Sequence, residues 1–226
     1  MSQGNLKMSL KLGKWREWME AIEPEIRLLL RDARGFWELR IIIHGHQRTQ
    51  DFHYGYLERS YIAHMLVGLR RQLKPDKGHI SLVRLLNDIA KNPEELSRGY
   101  FESVCSGPNE AVNFTPYANV DGAHVCPQMI AEDLARLALA LNVCEKFADE
   151  QLAYLEKREV ETAPAFKEFK NCLELLDKTY VKYHTLFYGD GLKTLQPARQ
   201  AGTLKGLIKM ADDFDAELPE FREYMP

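Results

Sequence analysis

The sequence predicts an all-α protein: an antiparallel helical bundle interrupted by one long irregular loop. Three observations carry that reading. Apolar residues recur at spacings of three and four through most of the chain, as they do in helices that bury one face. No run alternates with period two for long, as a half-buried strand would. Glycine and proline cluster between the periodic segments and separate one from the next.

The elements follow in order. A short first helix is expected over 13–21, and Pro24 suits the first turn of a second. Ile26, Leu30, Ala33, Trp37 and Ile41 mark the buried stripe of that second helix, and Gly45 ends it. A third helix is expected over 51–73, with Asp51 as cap. Its stripe is Leu57, Tyr61, Met65, Leu69 and Leu73, widened by Ile62 and Leu66. Residues 74–78 form a turn. A shorter helix over 79–90 points Leu82, Leu85, Leu86 and Ile89 inward, and Pro93 opens another short one with Leu96, Tyr100 and Phe101.

Residues 104–127 have no period and hold two Gly, three Pro and three Asn, so they read as a loop. A loop of that length in a compact domain is usually functional, or divides two halves. The strongest helix is expected over 127–157, with Ile130, Leu134, Leu137, Leu141, Cys144, Ala148, Leu152 and Leu155 in phase. The next covers 164–188 with Phe166, Phe169, Leu173, Leu176, Tyr180, Tyr183 and Phe187, and Gly189 stops it. A last amphipathic helix covers 201–217. The four long central helices bury every stripe if they pack antiparallel in a single domain over 1–226.

Composition excludes several function classes. Lys plus Arg is 30 and Asp plus Glu is 33, a formal charge of −3. A protein that coats nucleic acid or acidic membrane with its whole surface would be far more basic. No apolar run reaches the roughly 18 residues of a membrane span, and the first residues lack an apolar signal core. Four cysteines without a CxxC pair do not make a disulfide scaffold, so a reduced, cytoplasmic protein is expected. Cys144 and Cys172 fall on or beside apolar stripes and read as core thiols.

The candidate chemistry is sparse. No Glu-x-x-His pair precedes any of the seven histidines, so a di-metal bundle site is not expected. The sets His44, His46, His53 and Cys105, His124, Cys126 fall short of four well-spaced ligands. No metal and no cofactor are therefore predicted. No nucleophile elbow or phosphate-cradling glycine loop occurs. Arg27, Arg31 and Arg34 share one helical stripe, and Arg70 and Arg71 cluster with Lys74 and Lys77. Both groups are candidates for holding phosphate, and both also fit solvated helix faces. Arg59 and His64 form an Arg-x4-His pattern on the third helix. Such a pair can cleave RNA without a metal: the imidazole moves protons and the guanidinium steadies the phosphorane.

Several segments resemble a known family. The run from Arg70 to Asp76, then Ser81 to Ile89, is similar to a stretch in abortive-infection members of the HEPN superfamily. Asp133 to Leu137, followed by Phe147 to Arg158, resembles the helix that carries the signature of those proteins. Lys182-Tyr183 to Gly189 matches the closing helix. The resemblance covers roughly residues 36 to 190. It implies a helical bundle that dimerises and, in active members, a shared metal-independent endoribonuclease site built from Arg-x4–6-His motifs. In this sequence Tyr154 occupies the signature histidine position. Phe147, Ala148 and Asp149 stand where the arginine would be. The resemblance thus implies a degenerate signature at Asp149, Glu150 and Tyr154, and because Lys146, Glu150 and Tyr154 share one helical stripe, a polar groove is expected where the site would have been. The phenol of tyrosine titrates near 10 and is a poor proton shuttle at neutral pH.

The expected function is a HEPN-like bacterial defence or toxin–antitoxin component, associated with RNA or nucleotide and with weak or no ribonuclease activity. Expected partners are RNA or nucleotide, an antitoxin or other protein, and a second copy. The alternative is a non-catalytic helical module for protein interaction or dimerisation.

Overall fold

A computed structural model of the chain describes residues 9–45, 52–75, 78–105, 113–154, 166–190 and 192–196. Six α-helices are present among these residues: α1 (Leu10–Gly45), α2 (Phe52–Leu73), α3 (Leu82–Lys91), α4 (Arg98–Val104), α5 (Pro127–Tyr154) and α6 (Lys167–Tyr188). The only β pairing among them is two isolated bridges. The all-α expectation holds. The amphipathic segment expected at 201–217 lies outside the described residues.

The first two expected helices are one. α1 runs unbroken through Pro24. An internal proline removes one backbone bond and costs about 3 kcal/mol. Here Pro24 is exposed, and the buried row Trp15, Met19, Ile22, Ile26 keeps its helical phase across it. Continuous burial on the opposite face outweighs the local cost. The far end of the expected stripe also differs. Ile41 is exposed, and Leu29 and Phe36 are buried in its stead, because the core-facing row drifts around the helix. α3 begins later than expected, at Leu82, because the Ser81 hydroxyl accepts from the Arg84 amide and caps it there.

The four long helices form a ring. Contacts between α1 and α2 pair Glu25 with Gln72, Asp32 with His64 and Phe36 with Tyr61, so the two run antiparallel. Those between α1 and α6 pair Trp15 with Phe187, Met19 with Tyr180 and Phe36 with Phe166, again antiparallel. Between α5 and α6, Asp133 meets Tyr183 and Cys144 meets Glu168. α5 is thereby opposed to α6 and to α2, and Glu145 closes the ring by joining Arg70. The core inside is apolar and aromatic, and Cys144 and Cys172 are buried in it as expected.

α3, α4 and the loop cover one end. The described part of the loop is less irregular than its composition suggests. Phe114 and Val125 are buried, and the Arg98 side chain donates to the Gly122 carbonyl at 2.8 Å while stacking on Phe114. The Val125 amide bonds the Leu96 carbonyl and the Cys126 amide bonds that of Tyr117.

Two backbone positions stand out at the ends of α6. Gly189 has φ +66, and a Cβ there would lie 2.8 Å from the backbone of Val104 and Cys105. Only glycine fits both the conformation and the approach. Phe166, just before α6, has φ +48 although it carries a side chain. Its ring is fully buried against Phe36 and Trp37 of α1, Tyr61 of α2 and Phe147 of α5, which holds the conformation.

Candidate functional site

Arg59 and His64 both lie on α2, five residues apart, which turns them by about 140° around the helix axis. His64 faces α1. Its Nε2–H donates to Asp32 Oδ2 at 3.0 Å, and the side chain is 50% exposed. Asp32 also receives the Arg31 guanidinium at 3.4 Å. Arg59 lies on the other flank, in line with Arg70, eleven residues on and joined to Glu145 of α5. Its guanidinium lies back over Gly55, 3.7 Å from the position a Cβ would take there. The two side chains therefore leave α2 on opposite sides, one along the α1 seam and one along the α5 seam. Within one chain they do not converge on a common phosphate.

The Asp32–His64 pair has chemistry of its own. A carboxylate at Nε2 favours the tautomer with its proton on Nε2, which makes Nδ1 the ring's basic nitrogen. The neighbouring guanidinium of Arg31 is turned onto Asp32.

The five phosphate candidates each meet a carboxylate. Arg27 joins Glu23 at 2.7 Å and Arg34 joins Glu38 at 2.7 Å, both one turn away on α1. Arg31 meets Asp32. Arg71 reaches Glu25 at 2.7 Å. Arg70 and Lys74 share Glu145, each at 2.6 Å. Hydrogen bonds from Lys74 and then Arg70 hold the Glu145 carboxyl below the ordinary carboxylate value. Arg70, Arg71 and Lys74 thus brace seams between helices, whereas Arg27, Arg31 and Arg34 pair with carboxylates of α1 itself.

Of the degenerate signature, Asp149 is exposed on α5. Glu150 and Tyr154 belong to α5 by their backbone, and their side chains lie outside the described residues. So do His44, His46 and His53. Both ring nitrogens of His124 are engaged locally: Nδ1–H donates to the Val125 carbonyl at 2.9 Å, and Nε2 accepts from Asn119 Nδ2 at 3.3 Å. Among the described residues no group of three His, Cys, Asp or Glu side chains is placed to hold a metal ion. No helix of the described residues is long and apolar enough to cross a membrane.

The sequence reading did not single out a second His–Asp pair. His184 Nδ1–H donates to Asp190 at 3.0 Å, and the side chain is only 12% exposed. The ring lies between Tyr180 and Tyr188, with centroids 5.8 and 4.5 Å away. Arg16 covers Tyr188 at 4.7 Å. The Tyr180 hydroxyl donates to Met19 O at 3.2 Å and to Glu23 at 3.3 Å. Burial foremost, then the Glu23 charge, raises the Tyr180 phenol far above its ordinary value. The available signal was the spacing of four in Tyr180, His184 and Tyr188. The partner Asp190 follows the break at Gly189, where helical spacing no longer applies.

No protein-family model, curated protein or solved structure matches the chain.

Proposed function

We propose that this chain is a HEPN-like bacterial defence or toxin–antitoxin component, associated with RNA or nucleotide and with weak or no ribonuclease activity of its own. The observation that carries the reading is the separation of Arg59 and His64 on opposite flanks of α2, with His64 engaged by Asp32. It agrees with Tyr154 in place of the signature histidine. On this reading the chain would be a member of the family without a cutting pair converged within one protomer. The test is incubation of the pure protein with total RNA, beside Arg59→Ala and His64→Ala. Weak or absent cleavage with salt-dependent RNA binding is expected. Vigorous cleavage lost in both variants would assign an active shared site. Absence of any salt-dependent binding would remove RNA from the reading.

A second reading is favoured by the ion pairs. Arg27, Arg31, Arg34, Arg70 and Arg71 each meet a carboxylate within 3.4 Å. A surface so neutralised suits a protein-interaction or homodimerisation module better than a phosphate grip. This reading predicts a dimer or a retained protein partner, such as an antitoxin, on gel filtration of the native complex. A strict monomer with no partner would count against it.

A further inference from the structure

α1 and α3 lie antiparallel, and polar bonds mark the seam between them. The Ser9 hydroxyl donates to Glu95 at 2.5 Å, Lys11 donates to Asn92 Oδ1, and the Trp15 indole N–H donates to Asp88 at 2.8 Å. The next rung is of another kind. Trp18 meets Arg84, whose guanidinium lies 4.6 Å from the ring centroid. Lys14, one turn back on α1, sets its ammonium 4.5 Å from the same centroid. Trp18 is only 8% exposed, so the ring is a buried seat for two cations.

The ring attracts each cation but neutralises neither, and it draws two like charges together. Among the described residues no carboxylate pairs with Lys14 or Arg84. Asp88, one turn on from Arg84, is taken by Trp15, and Glu17 makes no ion pair with Lys14. The five arginines described above are each met by a carboxylate, so this pair stands apart from them. Arg84 is also held in place. Its Nη1 donates to the His79 carbonyl at 2.9 Å, and its other N–H groups meet no acceptor among the described residues. Lys91, seven residues on from Arg84 and so on the same side of α3, is exposed and extends the positive strip. We propose that Lys14 and Arg84 hold a phosphate group, of an RNA strand or of a free nucleotide. This rests on the RNA-or-nucleotide reading above and gives it a point of contact. The guanidinium presents a planar fork to two phosphate oxygens, the ammonium adds a point charge, and the anion relieves the repulsion between them. Trp18 precedes Asp32 by fourteen residues, about 21 Å along α1, so the contact is distinct from the Asp32–His64 pair. The ring is buried beneath the cations and offers a base nothing to stack on. The strip therefore grips phosphate without reading sequence.

Fluorescence anisotropy of a labelled single-stranded RNA of about twelve nucleotides tests this on the full chain. Lys14→Gln and Arg84→Gln are compared with Lys178→Gln, an exposed cation of α6 that controls for net charge. Each of the first two should weaken binding at least about fivefold and lower the slope of log affinity against log salt by about 0.7, the share of one phosphate contact. Lys178→Gln should stay within about twofold of the parent. Lys14 is exposed, so its variant tests the site even where Arg84→Gln disturbs the seam. A nucleoside monophosphate that displaces the RNA, and does so less well from Lys14→Gln, would make the free nucleotide a source of the phosphate; RNA alone binding would make it the strand. RNA binding by the parent that both variants retain would overturn the proposal and leave the RNA reading standing. Equal losses in all three variants would do the same. A parent that binds neither RNA nor nucleotide would remove both. A poly-glutamate peptide of equal length that displaces the RNA as well as unlabelled RNA does would assign the strip to acidic protein, and would overturn the phosphate assignment.

Discussion

α6 and α2 are the same length and both border α1 and α5, yet they are fastened differently. α6 is pinned by buried polar bonds. Asp133 accepts from Lys182 at 2.6 Å and Tyr183 at 3.0 Å, Tyr180 bonds α1, and Asp177 holds the chain that follows. α2 has one buried polar anchor, Gln72, which donates to Glu25 and accepts from the Leu82 amide, and is otherwise fastened at its rim by exposed ion pairs: Arg70 and Lys74 to Glu145, Arg71 to Glu25, His64 to Asp32. The two His–Asp pairs restate the contrast. Both measure 3.0 Å, yet one is clamped between tyrosines and the other is half in water. Separation alone does not assign a role. The buried bonds fix the geometry, and the rim pairs can be exchanged for a ligand at small cost.

The contrast can be broken by substitution. The largest effect is expected from Asp133→Ala, which leaves the Tyr183 hydroxyl and Lys182 ammonium without their acceptor. A loss of about 3 kcal/mol in chemical denaturation is expected. Burial, then the Asp133 charge, raises the Tyr183 phenol far above its ordinary value in the parent, so it meets Asp133 as a neutral donor. A near-neutral result would mean that α6 is not fastened there. Gly189→Ala comes next, at about 2 kcal/mol, from the left-handed backbone and the approach to α4. Its thermal midpoint should fall well below that of Gly99→Ala, where no atom lies within 4 Å of the added carbon.

How far the sequence could anticipate this depends on where the partner sits. α2 was legible because its stripe of four-residue spacings is local, and its end coincides with the turn before Pro75. The single α1 was not, since Pro24 is a local breaker overruled by burial that depends on α2 and α6. For the candidate site, the spacing of Arg59 and His64 could be read directly. Asp32, Glu25 and Glu145 could not be assigned as partners, because each comes from another helix 32 to 75 residues away.

Smaller effects sharpen the comparison. Tyr180→Phe should cost about 1 kcal/mol, the worth of a buried hydroxyl bond. His64→Ala and Arg71→Ala should each fall within about 0.5 kcal/mol of the parent, and the Arg71 effect should vanish in high salt. His184→Ala should cost visibly more than His64→Ala in the same urea titration. Equal costs would erase the distinction drawn between the two pairs.

The subtlest test is of pH. The folded protein holds Glu145 below its ordinary value of 4.5. Its contribution is therefore complete above that value and is lost as pH falls through the lowered one. The stability difference between the parent and Glu145→Gln should shrink steadily from about pH 6 to about pH 3. A difference that persists in acid would show that the carboxylate's charge is not what Lys74 and Arg70 hold.

Phe166 carries a further consequence, for the order of assembly. Its left-handed backbone is held by rings from three other helices, so nothing local in the chain favours it before those helices meet. The first turn of α6 is then a late event in folding. Substitutions that weaken this aromatic knot should hasten unfolding and leave the folding rate almost unchanged, the kinetic mark of a contact absent from the transition state. The end of the ring that closes last is also the end where α2 begins and α5 finishes. Transient opening of the native bundle should start there, and the seams of α2 should be the first to feel it.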